Sequence, residues 1–187
     1  MQTLPELMKD ADHRMKSAID VTVHDFGRFR TGRANPQLLE GISVDYYGVE
    51  TPLNQVANIS VPEARQILIS PYDKSMLRGI ETAITNSDLG VNPNNDGQVI
   101  RLNFPPMTEE RRKDLVKQVH HRAEEGRVAI RNVRRDALHH AHSMQKELHI
   151  GEDDVKAFEK KLQELTDKYV HEVDEAQKKK DAEVMEV

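Results

Sequence analysis

Apolar and small residues return every three or four positions along three long stretches of this chain, a spacing that lays each set along one face of an α-helix. In the longest, residues 108–148, the stripe is Leu115, Val119, Ala123, Gly126, Ile130, Val133, Ala137, Ala141, Met144 and Leu148. At 1.5 Å per residue such a helix is roughly 60 Å long, and it needs partners along all of that length. An earlier stretch carries Leu4, Met8, Ala11, Met15, Ala18 or Ile19, Thr22, Phe26 and Phe29. Thr3 as N-cap, Glu6 three residues on and Pro5 in the first turn mark its start, and Gly32 marks its end. After the break His149-Ile-Gly-Glu-Asp-Asp154 a third seam follows, with Val155, Phe158, Leu162, Leu165, Tyr169, Val173 and Ala176 in almost strict heptads. The charged end, KKKDAEVMEV, is expected to fray, with Val184 and Met185 able to pack on the end of the helices.

Between the first two helices the period changes. β-Branched residues cluster at 42–46, 56–61, 67–70 and 99–102 and predict short strands. Gly48, Pro52, Pro62, Pro71 and the run GVNPNNDG at 90–97 read as turns and loops, and 36–40 and 75–86 as short amphipathic helices. Three seams of similar length can bury one another only as a three-helix bundle, so the first helix must return to join the other two. The fold class is therefore α+β, an elongated three-helix bundle with a small α/β domain inserted after the first helix. The bundle takes residues 1–30 and 106–187 and the insert 31–105. Hinges are expected at about 30–36, around Gly32, and at 103–107, around Pro105 and Pro106. Gly126, inside the long helix, lowers its stability by about 1 kcal/mol relative to Ala; it reads as a point of close helix packing, with a bend as the alternative.

Composition narrows the chemistry. With no cysteine there is no disulfide framework and no thiolate metal or nucleophile site, which fits a reducing compartment, the cytoplasm. No apolar run approaches the ~18 residues of a membrane span. A net charge of −5 means that any nucleic-acid contact is local to one patch, and so few aromatics, with no tryptophan, favour phosphate contacts over base stacking.

Each candidate site has a plainer reading beside it. His139, His140 and His142 lie close enough on a helix to evoke a metal site, yet no HExxH pattern accompanies them, and solvated helix histidines are the reading taken. GRANP and GVNPNNDG lack the spacing of a phosphate-binding loop, and no nucleophile motif is present, so neither catalysis nor a cofactor is expected. Arg127, Arg131 and Arg134 stand at i, i+4 and i+7, on one strip of the helix. Such a strip is most often a solvated face. Here, though, four arginines fall between Arg127 and Arg135 without a lysine or an acid, and Arg is the residue suited to bidentate phosphate contact.

The segments RTGRANPQLL (30–39), DLGVNPNNDG (88–97), PPMTEERRKDL (105–115) and RVAIRNVRRDA (127–137) closely resemble the ribosome recycling factor family. The resemblance runs nearly end to end and implies two domains in an L shape joined by a flexible hinge. It also implies a non-enzymatic factor that binds the ribosome after termination and acts with elongation factor G and that factor's GTP hydrolysis to part the subunits. By the same resemblance, the bundle lies on large-subunit ribosomal RNA, with Arg112, Arg131 and Arg134 carrying much of the contact. Arg30 and Arg33 match the family motif and touch RNA or steady the hinge, and Arg127 and Arg135 complete the expected RNA-binding set. A monomer is expected. The alternative is a coiled-coil adaptor that binds a protein partner through a helix face.

Overall fold

The computed structural model describes residues 3–186. Its first helix, α1 (Leu4–Arg28), opens on a capping box. Thr3 N–H donates to the Glu6 carboxylate at 2.7 Å, holding that carboxyl below its usual range, and the Glu6 amide donates back to Thr3 Oγ1 at 3.4 Å. The helix α4 (Glu109–Leu148) starts where Thr108 Oγ1 accepts from the Arg111 amide at 3.2 Å. The last helix, α5 (Glu152–Met185), has three acids in its first turn, the sign that the helix dipole favours there.

Packing divides the chain into two units. One holds the described residues up to Phe26 together with those from Val116 onward; the other is Gly27–Leu115. The division falls inside α1 and α4, where the sequence pattern marks it in the loops at 30/31 and 105/106.

In the first unit, ion pairs give the helix directions. Arg14 of α1 pairs with Asp136 of α4 at 2.9 Å and Asp25 with Arg122 at 2.7 Å, so α1 and α4 are antiparallel. Arg127 pairs with Asp174 at 2.8 Å and His142 with Glu159 at 3.1 Å, so α4 and α5 are antiparallel too. It follows that α1 and α5 run parallel, and Tyr169 OH donates to Asp12 Oδ1 across them at 2.7 Å. Burial, then that hydrogen bond to a carboxylate, push the Tyr169 phenol up to about 12, so it stays protonated at any ordinary pH.

The three seams are buried against one another, with local shifts from the expected positions. Leu7 is enclosed where Leu4 and Met8 were expected, and these two are half-buried on either side of it. Thr166 is enclosed in place of Leu165. Thr22 and Thr166 can be buried because each hydroxyl donates to the carbonyl one turn back, Ala18 at 2.8 Å and Leu162 at 2.7 Å. The expected fraying of the charged end is corrected: α5 continues to Met185, Val184 is fully enclosed, and Lys180 buries its stem while its ammonium reaches Glu183 at 3.3 Å. Val187 lies outside the described residues.

Gly126 of α4 faces Thr22 of α1 at close range. A Cβ placed there would lie 2.5 Å from Thr22 Oγ1 and 3.1 Å from its Cγ2. The contact fits the close packing expected of it, and α4 is continuous through Gly126.

The second unit has a two-stranded hairpin, β1 (Ser43–Tyr46) with β2 (Val49–Pro52), and a short helix α2 (Leu53–Val56). A four-stranded antiparallel sheet follows: β3 (Ala57–Glu63), β4 (Gln66–Pro71), β5 (Pro93–Asn95) and β6 (Ile100–Asn103), in the order β3-β4-β6-β5. The helix α3 (Leu77–Thr85) supplies Leu77, Ile80 and Ile84 to the core that Ile67, Ile69, Ile100 and Leu102 form from the sheet. Several readings of the sequence change here. Pro52 ends a strand, Pro62 lies at the irregularity in β3, and Pro93 opens β5 within the run taken as loop. In the four-stranded sheet the prolines stand on the edge strands β3 and β5 or end β4, positions where a missing N–H is tolerated. The hairpin turn is Tyr47-Gly48, with φ of 50° and 84°; a tyrosine in the left-handed region is an unusual choice, and Tyr47 OH is tied to Asp73 at 2.9 Å.

Gly126→Ala is expected to lower the stability of the bundle by about 1–2 kcal/mol, since overpacking outweighs the gain of about 1 kcal/mol in helix propensity. Adding Thr22→Ala should recover most of that loss in thermal melts; a double variant as unstable as Gly126→Ala alone would locate the strain elsewhere.

Candidate nucleic-acid interface

Arg127, Arg131, Arg134 and Arg135 face different surroundings although they sit within three turns of one another on α4. Arg127 lies in the α4–α5 seam with its side chain only 16% exposed. Its Nε donates to Asp174 at 2.8 Å, its Nη1 to Glu124 at 3.0 Å, and its Nη2 to Gln177. Burial works against the charge on Arg127, but the bonds to Asp174 and Glu124 outweigh it and raise the pKa above the usual arginine value. Arg131 is half exposed and donates from Nη1 to Glu124 at 3.1 Å. Arg134, partly buried, donates to Gln163 of α5 at 3.1 Å. Arg135 is exposed and has no hydrogen-bond or ion-pair partner among the described residues.

The row is thus graded, from an arginine built into the bundle to one free in solvent. Reading the sequence missed the acids that cause the grading. The window 127–135 holds none, but Glu124 stands one turn before Arg127, a spacing that was available as a helical i, i+3 signal. Asp174 and Gln177 are about fifty residues away and come alongside only through the antiparallel pairing of α4 with α5.

The other candidate residues belong to the second unit. Arg30 donates from Nη1 to Leu89 O at 3.2 Å, and its guanidinium carbon sits 5.8 Å from the centre of the Phe104 ring, within cation–π reach. Gly90 beside it, at φ +67°, leaves room: a Cβ there would lie 3.4 Å from Arg30 Nη1. Arg33 is exposed. Arg112 is partly buried and donates from Nη2 to Met107 O at 3.3 Å, fastening the start of α4 to the residues before it. Gly32, at φ +82°, packs on Met107, whose Cγ would be 3.4 Å from an added Cβ, so the two expected hinge loops lie side by side. Gly32 is a position that a residue with a side chain occupies only under strain. Pro105 and Pro106 are exposed in the second of these loops.

Several histidines of α4 each meet one neighbour. His142 reaches Glu159, His120 reaches Asp181 at 2.7 Å, and His140 Nδ1 lies 3.2 Å from the Asp136 carbonyl. Among the described residues no group of three potential ligands is placed to hold a metal ion, and no helix is long and apolar enough to cross a membrane.

The family model for Ribosome recycling factor matches residues 22–185. This chain belongs to the ribosome recycling factor family. It is 53% identical over 184 residues to the ribosome-recycling factor of Acidothermus cellulolyticus, covering 98% of this chain and 100% of that one. A solution structure of the ribosome recycling factor resembles it with a TM-score of 0.79 at 40% identity, covering all of both chains. The T. thermophilus ribosome recycling factor, described with the E. coli elongation factor G bound to the E. coli post-termination complex, resembles it with a TM-score of 0.69 at 45% identity, over 99% of this chain and 100% of that one. The family's two-part architecture, long helices with a small β-sheet domain, is the one described above.

The different surroundings separate two kinds of arginine experimentally. Arg127→Ala is expected to destabilise the fold by about 1–3 kcal/mol, because it leaves Asp174 and Glu124 without their partner. Arg135→Ala is expected to change stability by less than about 0.5 kcal/mol. Chemical denaturation of the two variants measures both; equal losses would mean that the seam does not depend on Arg127.

Proposed function

We propose that this chain, as a monomer in the cytoplasm, grips large-subunit ribosomal RNA after translation termination through one exposed edge of α4, and that elongation factor G, hydrolysing GTP, acts on it to separate the subunits. Ribosome recycling is the function of the family to which the chain belongs. The similar T. thermophilus factor is described with elongation factor G on a post-termination complex, which supports the same partners here. The chain itself supplies no chemistry; nucleotide hydrolysis belongs to the elongation factor.

The observation that carries the RNA reading is the graded row. Among the described residues Arg131 and Arg134 each have one hydrogen-bond partner and Arg135 none, so their remaining N–H donors are available to phosphate oxygens. Guanidinium forks suit phosphate, and a helix packed along its length presents them without further ordering. Phosphate contacts position a protein without reading base sequence, which suits a factor that meets ribosomes carrying any message. Arg112 and Arg33 add contacts in this reading, while Arg30, engaged by Leu89 and Phe104, steadies the loop it belongs to. The adaptor alternative loses ground, because the large apolar residues exposed on the bundle among the described residues are Val21, Val23, Val128 and Met185, too few for a docking stripe.

Replacing Arg131 or Arg134 with Ala is expected to leave the fold intact and to weaken binding to large ribosomal subunits. The slope of log affinity against log salt should become shallower by about 1 for each phosphate that the variant no longer neutralises. Unchanged binding and slope in folded variants would remove the arginine edge from the mechanism.

The second part of the proposal is a hinge at Gly32 and Pro105-Pro106, which turns the push of the elongation factor into movement against the anchored bundle. A cysteine pair placed across the hinge and oxidised is expected to preserve large-subunit binding and to stop subunit splitting in light-scattering assays with elongation factor G and GTP. Full splitting by the locked protein would refute the hinge.

A further inference from the structure

Glu124 divides its two carboxylate oxygens between two arginines. Oε2 accepts from Arg127 Nη1 at 3.0 Å and Oε1 from Arg131 Nη1 at 3.1 Å. The two bonds are unequal in what they hold. Arg127 is gripped from its other side by Asp174 and Gln177 of α5 and is mostly shielded from water, so it cannot follow a ligand outward. Arg131 is half exposed, and Glu124 is its one hydrogen-bond partner among the described residues. Glu124 is therefore a carboxylate fixed by a buried arginine and shared with an exposed one. It occupies an N–H of Arg131 that a phosphate oxygen would take, and it carries the same sign of charge as the phosphate.

We propose that Glu124 sets the affinity of the arginine edge, acting as an internal anion that RNA phosphate must displace from Arg131. This deepens the RNA-anchor reading and rests on it. Binding at Arg131 is then an exchange of one charge-assisted hydrogen bond for another, so the net gain is the difference between phosphate and carboxylate. A recycling factor must let go of each ribosome it has split. An anchor held below its full strength orients the chain and still releases it, and the effect falls mainly on the dissociation rate.

Glu125 provides the control. It lies beside Glu124 but reaches His121 at 3.4 Å and Arg122 at 3.8 Å, away from the row. Equilibrium binding and dissociation are measured on bacterial large ribosomal subunits over a salt series, for the wild-type chain and for E124Q, E125Q, R131A and E124Q/R131A, with melting curves to verify folding. E124Q, which keeps an oxygen acceptor and loses the charge, is expected to bind about 2- to 5-fold tighter, the scale of an exposed ion pair. Its dissociation should be slower and its salt slope steeper by about 1, for one arginine more completely available to phosphate. E125Q makes the same change in net charge and should bind as the wild type does, and E124Q should have no effect once Arg131 is Ala. Equal tightening by E124Q and E125Q, or an E124Q effect that persists without Arg131, overturns the proposal by making it a matter of overall charge. R131A weakened with E124Q unchanged overturns it and leaves the anchor standing; R131A binding like the wild type overturns the anchor itself.

Discussion

Everything in the first unit depends on the mutual burial of three helical seams. A single helix of 40 residues with so much charge has little to hold it in one state; what makes α4 stiff is that one stripe of it is covered along most of its length by α1 and α5. At Gly126 that cover is close enough that the Thr22 side chain fills the space a Cβ would take. Ion pairs outside the seam, such as Arg14 with Asp136 and Arg122 with Asp25, add little energy each, but they fix which residues stand opposite one another.

The same packing decides how the arginines behave. Pairing α4 antiparallel with α5 brings Asp174 and Gln177 against Arg127 and Gln163 against Arg134, and it leaves Arg135 in solvent. Structural and ligand-facing duties are thereby divided among residues of one type spaced three and four apart. An arginine held by three partners stiffens the platform, and one with spare donors can meet a phosphate. Glu124 stands between these two states and joins them through one carboxylate.

In the second unit, local signals were often legible and often misleading, for identifiable reasons. The β-branched clusters and the face of Met76, Ile80, Ala83 and Ile84 found the core, to which the structure adds Leu77, because burial demands apolar residues wherever they fall. Pro52, Pro62 and Pro93 were read as breaks, yet edge strands and strand ends tolerate a residue without an N–H. Gly48 marked the turn, but the second strand of the hairpin escaped notice, since Val49-Glu-Thr-Pro52 carries no run of β-branched residues; Tyr47 takes a left-handed position more usual for Asn or Asp, helped by its hydroxyl bond to Asp73. The charged end of α5 was misjudged because Lys180 counts as apolar for most of its length.

By itself the sequence determined the helices, their caps and their seams, since a period of 3.6 and a capping side chain act within a few residues. It also placed the arginines on one strip of α4, and its motifs pointed to the family. Only the tertiary structure decided which of those arginines remain available, because their partners on α5 are distant in the chain and meet them solely through helix pairing. It likewise decided why Gly126 has no side chain: the constraint is the position of Thr22, more than a hundred residues earlier, and no local pattern carries a distance of closest approach.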